Sequence, residues 1–173
     1  RVNIWCKMVK VRNIGVFGRR NTGKSTLVNL LTGQEVSIVS PIAGTTTDAV
    51  RKRMEIPEIG PCNIIDTAGV DDTGTLGEQR VKKTGKIINE VDMAILVSSG
   101  NMFAKDEMDL LEAFRKNDLP GLVVHSQSDI LPLDVDLSTE LNSLYGVDVV
   151  EFSCCLFDEE AQAVARTIGT ETT

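Results

Sequence analysis

An α/β fold, with a mostly parallel six-stranded sheet between two layers of helices, is what these 173 residues predict. Three observations carry that expectation. A glycine-rich loop stands between an apolar run and a helix-like segment. Strand-like and helix-like patterns then alternate to the end of the chain, the order that produces a parallel sheet covered on both faces. Hydrophobic residues make up 42% of the sequence, enough to fill one core at this length.

The first strand is read over residues 12 to 17, where Ile14-Gly15-Val16-Phe17 is continuously compact or apolar. Gly18-Arg19-Arg20-Asn21-Thr22-Gly23-Lys24-Ser25 follows, and Thr26-Leu27-Val28-Asn29-Leu30-Leu31 continues it as a helix. The pattern G-x-x-x-x-G-K-[ST] arises by chance in a chain of this length about once in a hundred sequences. Its chemistry is specific. Glycines let successive N–H groups turn inward and cradle phosphate oxygens at a helix N-terminus, Lys24 adds a point charge, and the Ser25 hydroxyl can ligate Mg²⁺.

Further strands are expected over residues 50 to 56, 63 to 65, 93 to 98, 121 to 125 and 147 to 152. Helical spacing puts Val81, Thr84, Ile88 and Val91 on one face, as it does Met108, Leu111 and the stem of Arg115. The same holds for Leu137, Leu141 and Leu144, and for Ala161, Val164, Ala165 and Ile168. Gly33, Gly146 and Gly169 stand where helices would be capped. No repeat or low-complexity segment interrupts the pattern. Residues 34 to 48 and 67 to 78 lack periodicity, and functional loops are expected at the carboxyl ends of the strands.

Eighteen basic residues against 25 acidic ones give a net charge of −7, which argues against nucleic acid as the main partner. No apolar run is long enough to span a bilayer and Arg1-Val2-Asn3-Ile4-Trp5-Cys6 is no signal peptide, so no membrane contact and a cytoplasmic location are expected. The chain starts at Arg1 rather than Met, and an excised domain is the expectation. Cys6, Cys62, Cys154 and Cys155 form no C-x-x-C and His125 is the single histidine, so thiols of a reducing compartment are expected rather than a metal or iron–sulfur site.

The irregular segments carry the rest of the site. Ile64-Ile65-Asp66-Thr67-Ala68-Gly69 reads as a short buried strand ending in an aspartate that supports Mg²⁺ through its water shell, with Gly69 offering an N–H to a terminal phosphate. In Gly44-Thr45-Thr46-Thr47-Asp48, a threonine can complete the Mg²⁺ shell when that phosphate is present.

Phosphate loop, T-T-x-D and D-T-A-G together resemble the translation-factor-type GTPases, within the P-loop NTPase (Ras-like GTPase) fold, and the branch that holds the tRNA-modifying GTPase TrmE. Within that branch, the run Gly44 to Glu55, then Ile59-Gly60-Pro61, then Asp66 to Val81 looks like HydF, the [FeFe]-hydrogenase maturation GTPase. T-T-T-D and the D-D-x-G-x-L-G spacing are its specific parts. The resemblance covers roughly residues 11 to 168. It implies a single GTP-binding domain over residues 1–173, without the dimerisation and cluster-binding domains that follow in HydF. It also implies GTP or GDP with Mg²⁺ and K⁺ as cofactors, and no iron–sulfur cluster in this chain. The implied partners are the maturation proteins HydE and HydG and apo-hydrogenase, reached through a full-length protein, with homodimerisation left open.

Carried over by position, the resemblance gives the phosphates to Gly18, Arg19, Arg20, Asn21, Thr22, Gly23, Lys24, Ser25, Thr26 and Thr45. It makes Ser25 and Thr46 direct Mg²⁺ ligands and Asp66 their outer support. Asn21 matches an asparagine that helps bind K⁺ between the phosphates, in place of an arginine finger worth roughly 10³ to 10⁵ in rate. Val70 stands where many relatives have a water-orienting glutamine. Glu78 matches a catalytic glutamate of the TrmE branch, with Asp71 and Asp72 as alternatives; a carboxylate favouring a helix N-terminus is the second reading of Glu78.

The base-recognition motif N-K-x-D appears as Ser126-Gln127-Ser128-Asp129, keeping the aspartate that accepts two hydrogen bonds from guanine. Ser153-Cys154-Cys155 stands in place of S-A-K. The expected function is slow, K⁺-stimulated GTP hydrolysis that regulates hydrogenase cofactor maturation. A binding switch with little hydrolysis and a TrmE-type tRNA-modification GTPase are the alternatives.

Overall fold

Among the described residues six strands form where the sequence runs apolar or alternates, and hydrogen bonding extends several of them past the apolar residues. The computed structural model describes residues 11–33, 50–56, 60–67, 84–153, 164, 166 and 167. Its strands are β1 (Arg12–Phe17), β2 (Val50–Ile56), β3 (Gly60–Asp66), β4 (Met93–Ser99), β5 (Gly121–Ser126) and β6 (Asp148–Phe152). They make one sheet in the order β2-β3-β1-β4-β5-β6, with β2 and β6 at its two ends. β2 runs antiparallel to β3 and every other neighbouring pair is parallel. Strands in the middle of such a sheet meet helices on both faces, so they are apolar at every position rather than every second one. Met93, Ala94, Ile95, Leu96 and Val97 of β4 are all fully buried.

Helices α1 (Lys24–Gly33), α2 (Lys105–Lys116) and α3 (Val135–Tyr145) supply the outer layers. On one face Leu27, Val28 and Leu31 of α1 pack with Ile14, Val16, Ile64, Ile95, Val124 and Val164. On the other, Leu111 and Phe114 of α2 and Leu141 of α3 pack with Phe17, Ile65, Leu96 and Val123. The rings of Phe17 and Phe114 sit 5.2 Å apart, tilted by 56°, a geometry worth about 0.5–1.5 kcal/mol beyond the area it buries. The three-layer fold read from the sequence is therefore the fold observed.

Several elements differ in detail. β3 begins at Gly60 rather than residue 63, because antiparallel pairing carries the ladder from Val50↔Asp66 to Ile56↔Gly60 through polar positions that periodicity does not mark. The core face of α2 is centred on Leu111 and Phe114; Met108 is only half-buried and Arg115 is exposed. On α3 only Leu141 is buried and Leu144 is 49% exposed, since this helix lies over β6 at the end of the sheet. Residues 84–88 are helical, with Ile88 buried, whereas Val91 is buried beyond the end of that helix. Gly146 caps α3 in the left-handed region (φ 67°, ψ 28°), where a side chain would be strained, and its N–H donates to the Asn142 carbonyl at 2.8 Å. Gly33 is the last residue of α1. Val81, Gly169 and three of the last face, Ala161, Ala165 and Ile168, lie outside the described residues.

Cys62 is buried in β3, and burial pushes its thiol up to about 11. It is a packing group, not a nucleophile. Among the described residues no helix is long and apolar enough to cross a membrane.

Candidate functional site

β1 aims the chain at a tight turn. Gly18 takes φ 139°, and a Cβ at that position would come 2.2 Å from the Val97 carbonyl oxygen of β4. A residue with a side chain does not fit there. The loop then curls around its own lysine. Lys24 is buried, and its Nζ donates to the carbonyls of Gly18 and, at 2.6 Å, Arg19. Thr22 Oγ1 donates to the same Arg19 carbonyl at 2.8 Å, and the Leu27 N–H donates to Gly23 at 2.9 Å, starting α1. Asn21 holds φ 62°, a left-handed conformation that asparagine tolerates better than most residues.

The end of β5 braces this loop from below. Ser126 is buried, and its hydroxyl lies 2.5 Å from the Thr22 carbonyl and 3.1 Å from that of Ser98. Gly23 faces it, with room for no more than ordinary contact. Gln127 then turns left-handed at φ 59°, and its carbonyl accepts from the N–H groups of Ile130 and Leu131 at 3.0 and 3.1 Å. Asp129 is exposed within that turn. The Ser128 N–H donates to the Phe152 carbonyl at 3.3 Å, tying the turn to β6 just before the buried Ser153. Parallel crossovers thus bring the phosphate loop and the expected base-reading segment to one end of the sheet.

Arg20, Asn21, Gly23, Lys24, Ser25, Thr26 and Gln127 line a cleft of about 490 Å³ at this end, within the roughly 300–1,000 Å³ of small-molecule sites. Arg20 and Lys24 make its wall basic on a chain of net charge −7, which favours an anionic ligand in this cleft. The β1–β3 register sets Asp66 opposite Val16, two residues before Gly18. Thr67 fixes that strand end, its hydroxyl donating to the Val16 carbonyl at 2.7 Å. A hydroxyl at Ser25 and a carboxylate at Asp66 are hard oxygen donors. They suit a Mg²⁺ that keeps most of its waters and takes phosphate oxygens, not a cation caged by protein alone. No group of three or more His, Cys, Asp or Glu able to hold a metal occurs among the described residues.

Two features were not foreseen. Arg19, expected at the phosphates, ion-pairs through its side chain with Glu107, a carboxylate 2% exposed in the first turn of α2. The other oxygen of Glu107 accepts the Ala104 N–H at 3.0 Å, closing the helix N-terminus. His125 is buried beside Ser126. Thr45, Thr46, Gly69, Glu78 and Cys154, together with Val70, Asp71 and Asp72, lie outside the described residues.

Residues 13–131 match the family described as 50S ribosome-binding GTPase. The tRNA modification GTPase MnmE of Neisseria gonorrhoeae is 36% identical over 119 residues, 68% of this chain and 26% of that protein. The corresponding MnmE of Coxiella burnetii is 35% identical over 120 residues, 67% of this chain and 26% of its own. The chain thus spans about a quarter of the length of the curated relatives it matches. Among solved structures, Era of Aquifex aeolicus bound to GDP and AlF4⁻ superposes with a TM-score of 0.70 at 26% identity, over 94% of this chain and 57% of that one. The G domain of the T. maritima FeoB iron transporter gives 0.68 at 21% identity, over 95% and 100%.

Proposed function

This chain belongs to the 50S ribosome-binding GTPase family and is a GTP-binding, GTP-hydrolysing domain; from that premise we propose that it is a slow nucleotide switch that K⁺ accelerates. The observation that carries the reading is the phosphate loop closed around buried Lys24, with Asn21 exposed on the wall of the same cleft. The loop N–H groups and Lys24 hold the β- and γ-phosphates. Ser25 and, by its place in the sequence, Thr46 would ligate Mg²⁺, Asp66 would back its waters, and Gly69 would offer its N–H to the terminal phosphate. Mg²⁺, when bound, neutralises charge that develops on the phosphates. Asn21 would lend its side-chain carbonyl to K⁺, which would supply the positive charge that an arginine finger supplies elsewhere. The Arg19 guanidinium is engaged by Glu107, which supports that division of labour.

GTP hydrolysis is accordingly expected to run at least several-fold faster in potassium than in sodium chloride at equal ionic strength. Asn21→Ala should remove the difference. Phosphate release measured in both salts decides it, and equal rates in the wild-type protein would exclude a K⁺ role.

Guanine is read by the Asp129 carboxylate, with Gln127 and Ser153 beside the base and Cys154 assigned to it by sequence position alone. Without the usual asparagine and lysine, affinity should be modest. Converting Ser126→Asn together with Gln127→Lys should tighten GTP binding by about 1 to 3 kcal/mol, one or two hydrogen bonds' worth. Calorimetry reporting an unchanged dissociation constant would place this segment away from the base.

The wider role has two readings. Relatives that are tRNA modification GTPases support service in tRNA modification, and the comparisons favour it. The run Gly44 to Glu55 and the spacing from Asp66 to Glu78 support hydrogenase maturation, with HydE, HydG and apo-hydrogenase as partners. Full-length protein separates the two: tRNA-dependent GTP turnover supports the first, and an iron–sulfur absorption and spin-resonance signature carried outside this domain supports the second.

A further inference from the structure

We infer that His125 is a positioning residue for guanine selection, through its hydrogen bond to the far end of the turn that carries Asp129. The inference rests on the reading that Asp129 accepts the hydrogen bonds of guanine.

β5 ends with two polar residues whose side chains leave the strand on opposite faces. Ser126 reaches the phosphate loop. His125, 1% exposed, reaches the Leu131 carbonyl with Nε2 at 2.8 Å. A carbonyl only accepts, so Nε2 is the donor in this bond. Nδ1 is buried and finds no hydrogen-bond partner among the described residues. A leucine or valine here would avoid the cost of that orphaned nitrogen. What the histidine adds over either is its donor, and the donor is spent on residue 131.

That position matters because of how residues 127–131 are held. Gln127 is fixed by following Ser126, Ser128 by its N–H to Phe152, and the carbonyl of Gln127 gathers the N–H groups of Ile130 and Leu131. The Leu131 carbonyl is the remaining end, and His125 holds it. Asp129 lies between these anchors, exposed and supported by the turn. The turn also contains a left-handed Gln127, a conformation that persists only where the surroundings enforce it. Releasing Leu131 frees the turn to shift, and a carboxylate that must meet N1–H and the 2-amino group of guanine together loses its aim.

The test compares GTP with inosine triphosphate, which lacks the 2-amino group, by equilibrium binding to the wild-type domain and to His125→Leu, His125→Gln and Asp129→Asn. His125→Leu should lower the GTP-to-inosine preference about tenfold, the effect of losing one hydrogen bond of ordinary strength. His125→Gln, whose amide can donate to the same carbonyl, should restore most of it. A purely structural histidine would lower the melting temperature of His125→Leu while leaving the preference intact, and that result overturns the inference. If Asp129→Asn also leaves the preference unchanged, the reading of Asp129 fails and the inference with it. A fall in Asp129→Asn with no change in His125→Leu rejects the inference alone.

Discussion

Replacing Gly18 by alanine is expected to cost about 2 to 6 kcal/mol, the sum of a side chain forced into positive φ and an overpacked contact. The contact is with backbone, the Val97 carbonyl, at 2.2 Å. No side chain can swing away to relieve it, so either β4 or the loop must move. Because native domains are stable by only about 5–15 kcal/mol, the melting temperature should fall by many degrees. Nucleotide binding should fall with it, since the carbonyls of Gly18 and Arg19 position Lys24. Calorimetric melting and fluorescent-nucleotide titration read the two effects. An alanine variant with unchanged stability and affinity would mean that the loop does not lie against β4.

The second large effect is expected in the chemical step. Val70 offers no hydrogen bond, so another group must orient the attacking water, and Glu78 stands at the matching position of the sequence. Orienting water helps the transition state more than the bound nucleotide. Glu78→Ala should therefore lower kcat by roughly 10²-fold or more with GTP affinity nearly constant. Single-turnover hydrolysis alongside binding measurements separates the two quantities. Unchanged turnover would return Glu78 to a helix-terminal role and shift attention to Asp71 and Asp72.

The phosphate loop was legible in the sequence because its constraints are local. Positive φ at Gly18 and a helix start at Lys24 each restrict the residue type at one position, and a strand and a helix flank them at fixed distance. The alternation of strands and helices was legible for the same reason, through periodicity. What escaped depends on partners far along the chain. Glu107 looks like an ordinary charge on a helix until Arg19, 88 residues away, folds beside it. Ser126 reads as a substitution in a base-recognition motif, yet its hydroxyl bonds Thr22 and Ser98. The half-exposed α3 followed from its place over the last strand, which no pattern of leucines reveals.

The two ends of the sheet have a consequence for solubility. A terminal strand exposes unpaired backbone groups, which invite another chain to add itself and start a fibre or an aggregate. β2 carries exposed Arg51, Arg53 and Glu55, with the side chain of Arg51 joined to Glu90. β6 carries exposed Asp148 and Glu151. An incoming strand would have to desolvate these charges before gaining a single ladder bond. The same residues that say nothing about nucleotide therefore guard the rim of the sheet.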